Sequence, residues 1–371
     1  MAILPSYRSH IIFRGTPSER LLCLVGDLDR DGTAEIVIGS RLPRAEIYWF
    51  SRTRSGEWLP HLLDDTLSTL EAGGVLADID HDGDLDLIAG EDWSGSGLFW
   101  WECHTYPTLA WKRRLIFQMP ANASHDQLLA DLDGDGRQEL YFWNKGSETL
   151  FGVPLPDDPC LSPWPDVRPV VTGVREEGLA TADVDGDGRL ELVAGQSWYR
   201  LGKDGWERYV YAQGYVSPKI VTADFDGDGH PEIILAECDA SLRGKQYGRL
   251  VRFTASPDPT SLWLPELLHD RLLDPHSLQV ADFDGDGHPD LFVGEEGLPD
   301  GNDPHPPAQR IYQNQDGHLV EHIIADNLSS HEAKIIELDG KLGLVIKPYR
   351  NLRSSVPRPP EVDCIQLLLP E

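Results

Sequence analysis

One acidic pattern recurs along the chain at nearly regular intervals and limits the folds open to it. Its clearest copy, Asp282–Asp290, has Asp at the first, third and fifth positions, Gly at the sixth and an acid at the ninth. Alternate side chains of an extended segment point the same way, and the glycine allows the sharp turn that brings the ninth side chain back. The carboxylates then form an oxygen cage of the kind that binds a hard cation.

Six copies of this cage are intact, and each offers carboxylates at its first, third, fifth and ninth positions. The cage residues are Asp27, Asp29, Asp31 and Glu35; Asp78, Asp80, Asp82 and Asp86; Asp131, Asp133, Asp135 and Glu139; Asp183, Asp185, Asp187 and Glu191; Asp224, Asp226, Asp228 and Glu232; and Asp282, Asp284, Asp286 and Asp290. A seventh copy at residues 337–341 is worn, since Lys341 stands in place of a ligand.

The cages do not have the pattern of EF-hands. An EF-hand loop needs a bidentate glutamate at its twelfth position and continues into a helix. The twelfth position here is always apolar, and the following segments are short and β-type, as in Glu35–Gly39 and Glu191–Gly195. Ordinary acidic turns would not keep glycine at the sixth position of all six copies. The sequence therefore predicts cation-binding loops that lead into β-strands.

The formal charge of −30 comes from these cages and not from an acidic tail. The cages use four acids each, or 24 of the 62 acidic residues, and the other 38 face 32 lysines and arginines. The rest of the chain is nearly balanced in charge, so we expect no nucleic-acid partner.

The cysteines and the apolar runs exclude further classes of protein. Five scattered cysteines with no CxxC pair exclude a zinc ribbon or a disulfide scaffold and indicate buried free thiols. No apolar run is long enough to cross a bilayer, so we expect no membrane partner. Residues 1–20 lack a signal-peptide core, which predicts a cytoplasmic protein if Met1 is the native start and an exported one otherwise.

The spacing of the copies predicts an all-β fold, a seven-bladed β-propeller. Successive cages begin 51, 53, 52, 41, 58 and 55 residues apart, and each period holds four β-type segments, as expected for a propeller blade. The seventh period lacks its last strand, and Arg8–Phe13 resembles that strand. We therefore predict one domain, residues 1–371, in which the N-terminal strand closes the last blade and leaves no free edge.

The cages and the apolar segments ending in glycine after them resemble the FG-GAP/VCBS repeats of integrin α-subunit propellers and of many bacterial propellers. The resemblance covers essentially the whole chain. It implies that the first, third, fifth and ninth residues of each intact cage bind Ca²⁺, with a backbone oxygen from the seventh, and that the worn seventh copy binds no ion. In such proteins the repeat determines fold and ion, and not activity.

A column of candidate catalytic residues lies six positions before the cages. This position is His125, His276 and His331 in blades three, six and seven, and Glu177 in blade four. It begins the innermost strand on the face opposite the cages, so these side chains should meet at the mouth of the channel. They could bind a transition metal ion, or one histidine could be a general base. Alternatively, the histidines only bond the links between blades.

Further candidates are expected around the same mouth. Lys334 and Tyr349 are candidate catalytic groups, and Trp93, Trp198 and Tyr349 are candidates for stacking on sugars. The ends of the second strands of several blades contribute Glu91, Asn144, Glu237, Glu295 and Lys347. A basic sector that suits an acidic ligand is expected at Arg41, Arg44, Arg350, Arg353 and Arg358.

Propellers with similar calcium repeats and a histidine-lined mouth include aldos-2-ulose dehydratase and certain polysaccharide lyases. This resemblance implies a carbohydrate-active lyase or dehydratase whose substrate is a carbohydrate, and the basic sector would suit an acidic one. A histidine would remove a proton next to a carbonyl or carboxylate, and a metal ion or a basic side chain would stabilise the enolate. The alternative is a calcium propeller that binds glycans or proteins without catalysis.

Overall fold

The computed structural model of the chain describes residues 3–15, 20–41, 44–104, 107–349 and 364–371. These residues form seven four-stranded antiparallel sheets. In chain order, the strands are β1 (Tyr7–Arg14), β2 (Arg20–Gly26), β3 (Glu35–Ser40), β4 (Ile47–Arg52), β5 (Trp58–Asp64), β6 (Val75–Ala77), β7 (Asp86–Gly90), β8 (Gly97–Glu102), β9 (Lys112–Gln118), β10 (Ser124–Ala130), β11 (Glu139–Asn144), β12 (Thr149–Pro154), β13 (Arg168–Thr172), β14 (Leu179–Ala182), β15 (Glu191–Ala194), β16 (Ser197–Gly202), β17 (Gly205–Val210), β18 (Pro218–Ala223), β19 (Glu232–Glu237), β20 (Gly248–Thr254), β21 (Leu264–Leu272), β22 (Pro275–Ala281), β23 (Asp290–Glu295), β24 (Gln309–Gln315), β25 (His318–Ala325), β26 (Lys334–Leu338), β27 (Lys341–Ile346) and β28 (Cys364–Pro370).

Each sheet is one blade, and the ring closes as the sequence predicts. Blades one to six take four consecutive strands each, from β2–β5 to β22–β25, whereas blade seven has the order β26-β27-β28-β1. Strand β1 pairs antiparallel with β28, from Tyr7 opposite Pro370 to Arg14 opposite Cys364. The first strand of the chain therefore completes the last blade. The seven-bladed propeller is confirmed.

The burial of the strands follows from their place in the blade. Second strands such as β3 and β19 are buried at every residue because a neighbouring blade covers each face of the sheet. Outer strands such as β5 and β25 keep many residues exposed at the rim. The seven large hydrophobic clusters each join residues of two neighbouring blades, including the pair formed by blades seven and one. The core is thus a ring of interfaces between blades.

The turn of blade seven differs from the other six. Strands β26 and β27 pair up to Leu338 and Lys341, so only Asp339 and Gly340 remain in the turn. Both have a positive φ, 53° and 74°, as a tight hairpin of this length requires. A two-residue turn has no room for the four carboxylates of an intact cage.

The one helical element among the described residues is a short 3₁₀ turn, Ser241–Arg243. Over the same part of the chain, no helix has both the length and the apolar character needed to cross a membrane.

Candidate functional site

The six acidic loops lie between the first and second strands of blades one to six. In each loop, the ninth carboxylate accepts a hydrogen bond from the backbone N–H of the second residue, as in Leu28 to Glu35 at 2.7 Å and Val184 to Glu191 at 2.8 Å. One ligand oxygen from each of Asp131, Asp133, Asp135 and Glu139 lies within 4.8 Å of the others. These side chains are therefore close enough to share one hard cation, and oxygen ligands of this kind suit Ca²⁺.

In several acidic loops, burial and neighbouring carboxylates disfavour the charged form of the ninth carboxylate. Burial, together with the neighbouring aspartates, raises the pKa of Glu35, Glu191 and Glu232 to about 7. A divalent cation placed among the carboxylates would reverse this effect, because it favours their charged forms. The acidic loops thus have the electrostatic character expected of cation sites.

The other face of the ring contains a polar cavity of about 440 Å³, the mouth cavity. In blade three, Ala130 and Glu139 pair next to the acidic loop, while Ser124 and Asn144 pair at the other end of the same strands. Residues from all seven blades line the mouth cavity, and they include His125, Glu177, His276, His331 and Tyr349. The structure therefore brings these five candidate residues to one place.

Lys334 does not line the mouth cavity, although His276 lines both this cavity and the space that contains Lys334. Lys334 lines this second space of about 190 Å³, together with Asp126, Lys219 and Glu332. The ammonium of Lys334 lies 3.6 Å from the carboxylate of Glu332. A direct role of Lys334 in the mouth cavity has no geometric support.

His276 and His331 are in contact with each other. Their rings stack with centroids 4.8 Å apart and planes 23° apart. Nδ1 of His276 lies 3.2 Å from the carboxylate of Glu296 and 3.1 Å from the carbonyl oxygen of Asp274, and Nε2 lies 3.6 Å from the carboxylate of Asp239. Burial alone would lower the pKa of His276, but the carboxylates outweigh it and raise the pKa to about 10.

His331 has the opposite electrostatic environment. Burial, with Lys347, His276 and other positive charges nearby, holds the pKa of His331 well below its usual value. Its ring meets that of Tyr349 edge-on, with centroids 5.1 Å apart. Nδ1 of His331 is buried and has no hydrogen-bond partner among the described residues. The His331 ring is therefore neutral, and its buried Nδ1 lacks a hydrogen bond among the described residues.

His125 is held between two carboxylates in another part of the mouth cavity. Its Nδ1 lies 2.8 Å from Asp126, and its Nε2 lies 3.5 Å from Glu177. Glu177 also pairs with Lys145. The set His125, Glu177, His276 and His331, expected as one metal site, is thus divided into a His125–Glu177 part and a His276–His331 part. The second part uses Glu296, which the sequence analysis did not select.

The backbone at Asp126 is strained to hold its carboxylate in place. Asp126 has φ 40°, and the pairing of β10 with β11 shifts register there. The equivalent positions of blades two and four are Gly73 and Gly178, which adopt positive φ without steric cost. A non-glycine residue in such a conformation costs on the order of 1–3 kcal/mol and persists where the surroundings fix it.

Asp126 remains charged in spite of its burial. It accepts a hydrogen bond from Lys219 at 2.8 Å and one from the backbone N–H of Gly178 at 2.7 Å. Burial would raise its pKa, but Lys219 and His125 hold the pKa well below the usual value. Asp126 is therefore a fixed negative charge next to the ring of His125.

The residues chosen from the sequence at the ends of the second strands do not line the mouth cavity. Glu91, Asn144 and Glu295 bond nearby backbone groups and shape loops, as in Leu273 N–H to Glu295 at 2.8 Å. In the same way, Glu237 pairs with Lys245 and Arg249, and buried Lys347 donates to the carbonyl of Arg20. The next residue in two of the blades, Lys145 or Glu296, reaches the mouth cavity instead. Side-chain alternation along a strand could have indicated this shift.

The rim of the mouth cavity combines an exposed aromatic ring with positive charge. Trp93 is 46% exposed, and Lys145 and Arg175 approach its ring at 5.8 and 5.5 Å from the centroid. Arg175 and Arg243 line the rim and form no ion pair among the described residues. Trp198, by contrast, is fully buried and donates to the carbonyl of Pro259, so it packs within the fold.

The predicted basic sector is mostly neutralised where it can be described. Arg41 pairs with Glu71 at 2.7 Å and with Asp92 at 2.6 Å, and Arg44 pairs with Asp65. Arg350, Arg353 and Arg358 lie outside the described residues. Among the described residues of the rim, positive charge without an ion-pair partner therefore comes from Arg175 and Arg243, which lie on other blades.

Comparisons with known proteins agree with the fold. The FG-GAP-like repeat family matches residues 27–89, 183–235 and 224–293. Crystal structures of BBS1N in complex with ARL6DN, one soaked with mercury and one with lead, are similar with TM-scores of 0.60 and 0.58. Both are 11% identical; the matches cover 99% and 100% of this chain and 96% and 98% of those chains. The V. cholerae biofilm matrix protein Bap1 is 10% identical, with a TM-score of 0.47 over 99% of this chain and 70% of that one. No curated protein matches the sequence.

Proposed function

We propose that the mouth cavity of this seven-bladed propeller, whose sequence matches FG-GAP-like repeats over residues 27–89, 183–235 and 224–293, is an active site. Such repeats define a scaffold, so activity has to be argued from the residues of the site. The proposed activity is that of a carbohydrate-active lyase or dehydratase that removes a proton next to a carbonyl or carboxylate. The observation that carries the proposal is the pair His125–Asp126 beside the mouth cavity.

His125 is the proposed general base. A charged Asp126 at 2.8 Å from Nδ1 favours the tautomer with a proton on that nitrogen. Nε2 then carries the lone pair, on the side of the ring near Glu177, which lines the cavity. In the proposed elimination, Nε2 takes the proton from carbon, the C–H electrons form the new C=C bond, and the C–O bond to the leaving group breaks. The leaving oxygen keeps the electrons of the C–O bond and takes a proton from solvent water.

The rim is the proposed binding surface for an acidic sugar. The exposed ring of Trp93 offers an apolar face on which a sugar ring could stack. Arg175 and Arg243 supply guanidinium groups that suit a carboxylate or sulfate. Positive charge close to a carboxylate also favours the enolate that develops when the neighbouring proton leaves. These features support a uronate-containing substrate.

The acidic loops are the proposed Ca²⁺ sites, with a structural role. Their carboxylates lie on the opposite face from the mouth cavity, at the turns between the first and second strands. An ion bound there would fix each turn and hold the two strands in register. The proposed assignment covers the six intact copies and excludes the two-residue turn of blade seven.

The test is an assay of purified protein against a panel of acidic polysaccharides and keto-sugars. Elimination next to a carboxylate produces a conjugated C=C bond, which ultraviolet absorbance detects. We expect wild-type protein to form this product, and we expect His125→Gln to lower kcat by about 10²–10⁴, the usual contribution of a general base. His318→Gln is the matched control, since His318 is exposed and begins β25. Equal activity of His125→Gln and wild type would contradict the proposal.

A non-catalytic binding function is the second candidate. Several charged groups of the mouth cavity already pair with one another, as Arg41 does with Glu71 and Lys145 with Glu177. Such pairs could simply join the blades around the channel. In that case the rim would bind a glycan or protein, the histidine variants would bind it normally, and no substrate of the panel would be consumed.

A further inference from the structure

Three buried side chains form a compact group in the wall of the mouth cavity. His276 and Glu296 come from blade six, and His331 precedes the first strand of blade seven. One ligand atom from each residue lies within 4.8 Å of the others. The three residues are only 7%, 3% and 7% exposed. They differ from the acidic loops in offering nitrogen ligands and in being withdrawn from bulk solvent.

A second observation indicates that a ligand belongs in this group. Nδ1 of His331 is buried and has no hydrogen-bond partner in the part of the chain that the structure describes. Buried polar groups are normally satisfied, and an exception points to a missing water, ion or ligand. Because the unsatisfied atom belongs to a ring stacked on His276, the missing partner would lie close to a second imidazole.

We propose that His276, Glu296 and His331 bind one divalent transition metal ion, for which Zn²⁺ is a suitable probe. Two imidazoles and a carboxylate form a common ligand set for such ions, and they leave a coordination position for water or substrate. Nδ1 of His276 lies 3.2 Å from Glu296, so it is the nitrogen placed to bind the ion, which would replace the proton that this nitrogen shares with Glu296 and the carbonyl oxygen of Asp274. His125 is not part of this site.

The surroundings of His276 match those of a metal-binding histidine. Its other nitrogen, Nε2, lies 3.6 Å from the carboxylate of Asp239. A carboxylate on the far side of a ligating imidazole commonly orients the ring and increases its basicity. The Asp239 backbone has a positive φ of 50°, so this carboxylate is held there against a steric preference.

The metal site does not depend on the elimination reaction and is tested separately. Protein without a histidine tag is dialysed against 1,10-phenanthroline in excess Ca²⁺, which removes transition metals and keeps the acidic loops supplied. Zn²⁺ is then titrated by calorimetry, and Co²⁺ is followed by its visible absorbance. We expect one Zn²⁺ per chain, and a Co²⁺ spectrum typical of nitrogen ligation.

Ligand variants decide the assignment. Glu296→Gln and His331→Gln should each weaken Zn²⁺ binding by at least about 100-fold, since even groups that merely orient a ligand affect metal affinity by 10–100-fold. His125→Gln, in the same cavity, and His318→Gln, far from it, should retain full affinity. If one variant fails to fold by circular dichroism, the other still decides. No Zn²⁺ binding in excess Ca²⁺, or binding that both variants retain, would overturn the proposal.

Discussion

At the scale of single residues, the chemistry of the mouth cavity depends on how neighbouring carboxylates orient and charge its three histidines. Asp126 orients His125, Glu296 and Asp239 favour a charged His276, and His331 is left neutral. The three histidines thus differ in charge and orientation, because burial and neighbouring charges differ around each ring. The position of a histidine in the repeat therefore does not predict its orientation or its charge.

Asp126 provides a residue-scale prediction for the proposed reaction. Asp126→Asn should lower kcat by about 10²–10⁴ with little change in KM, because the amide no longer fixes the tautomer of His125. The pH profile of kcat/KM should change as well, which a purely structural loss would not produce. Glu332→Gln is the matched control, since Glu332 also pairs with Lys219, at 3.2 Å, but does not contact His125. Equal losses in both variants would indicate a structural role for Asp126.

Lys347 provides a residue-scale prediction for stability against pH. Burial lowers its pKa from 10.5 to about 7, so between these values the unfolded chain holds a proton that the folded chain does not. The contribution of Lys347 to the free energy of unfolding therefore rises with pH across this window, by on the order of 5 kcal/mol, whereas the raised pKa of His276 gives a contribution that falls with pH. In Lys347→Met this contribution is absent, so the difference in the free energy of unfolding between wild type and Lys347→Met should change with pH by about this amount, as urea unfolding at pH 6.5, 8 and 10 would show.

Lys341→Met is the control for that measurement, because Lys341 is exposed at the first residue of β27. It should keep the pH dependence of the wild type. If Lys347→Met also keeps it, then Lys347 is charged in the folded protein at neutral pH, and the argument from burial is wrong.

At the scale of strands and loops, much of the structure could be predicted from the sequence. The acidic repeat located each turn between first and second strands, and Arg8–Phe13 was recognised as the missing outer strand. These features are local and repeated, so seven copies reinforce one another. Glu296 was missed because only blade six has an acid at that place that reaches the cavity. The predicted metal set was divided because contacts between blades across the channel are not encoded in any local sequence pattern.

The acidic loops provide an element-scale prediction. Ca²⁺ should raise the Tm of wild-type protein, because an ion that binds only the folded state stabilises it, by about 2.7 kcal/mol per site at 100 times Kd. Asp183→Ala, in an intact loop, should reduce this gain. Asp339→Ala, in the two-residue turn of blade seven, should leave the Ca²⁺-dependent gain unchanged. Thermal melts in EDTA and in Ca²⁺ measure both, and equal effects of the two variants would contradict the assignment.

At the scale of the whole molecule, stability depends on closing the ring. The hydrophobic clusters join blades in pairs, and blade seven is complete only when β1 pairs with β28. A chain that starts at residue 15 should therefore lose several kcal/mol of stability and aggregate through the open edge of β28. A chain that starts at residue 6 keeps β1 and serves as the control. Similar melts and elution volumes for both chains would show that β1 is dispensable.

The most direct test of the account follows proton removal itself. An acidic oligosaccharide is incubated in D₂O with wild type, His125→Gln or His318→Gln, and NMR monitors the C–H bond next to the carboxylate. Wild type and His318→Gln should exchange or eliminate this hydrogen, whereas His125→Gln should leave it in place over the same period. Loss of the hydrogen at equal rates in all three proteins would contradict the assignment of His125 as the base.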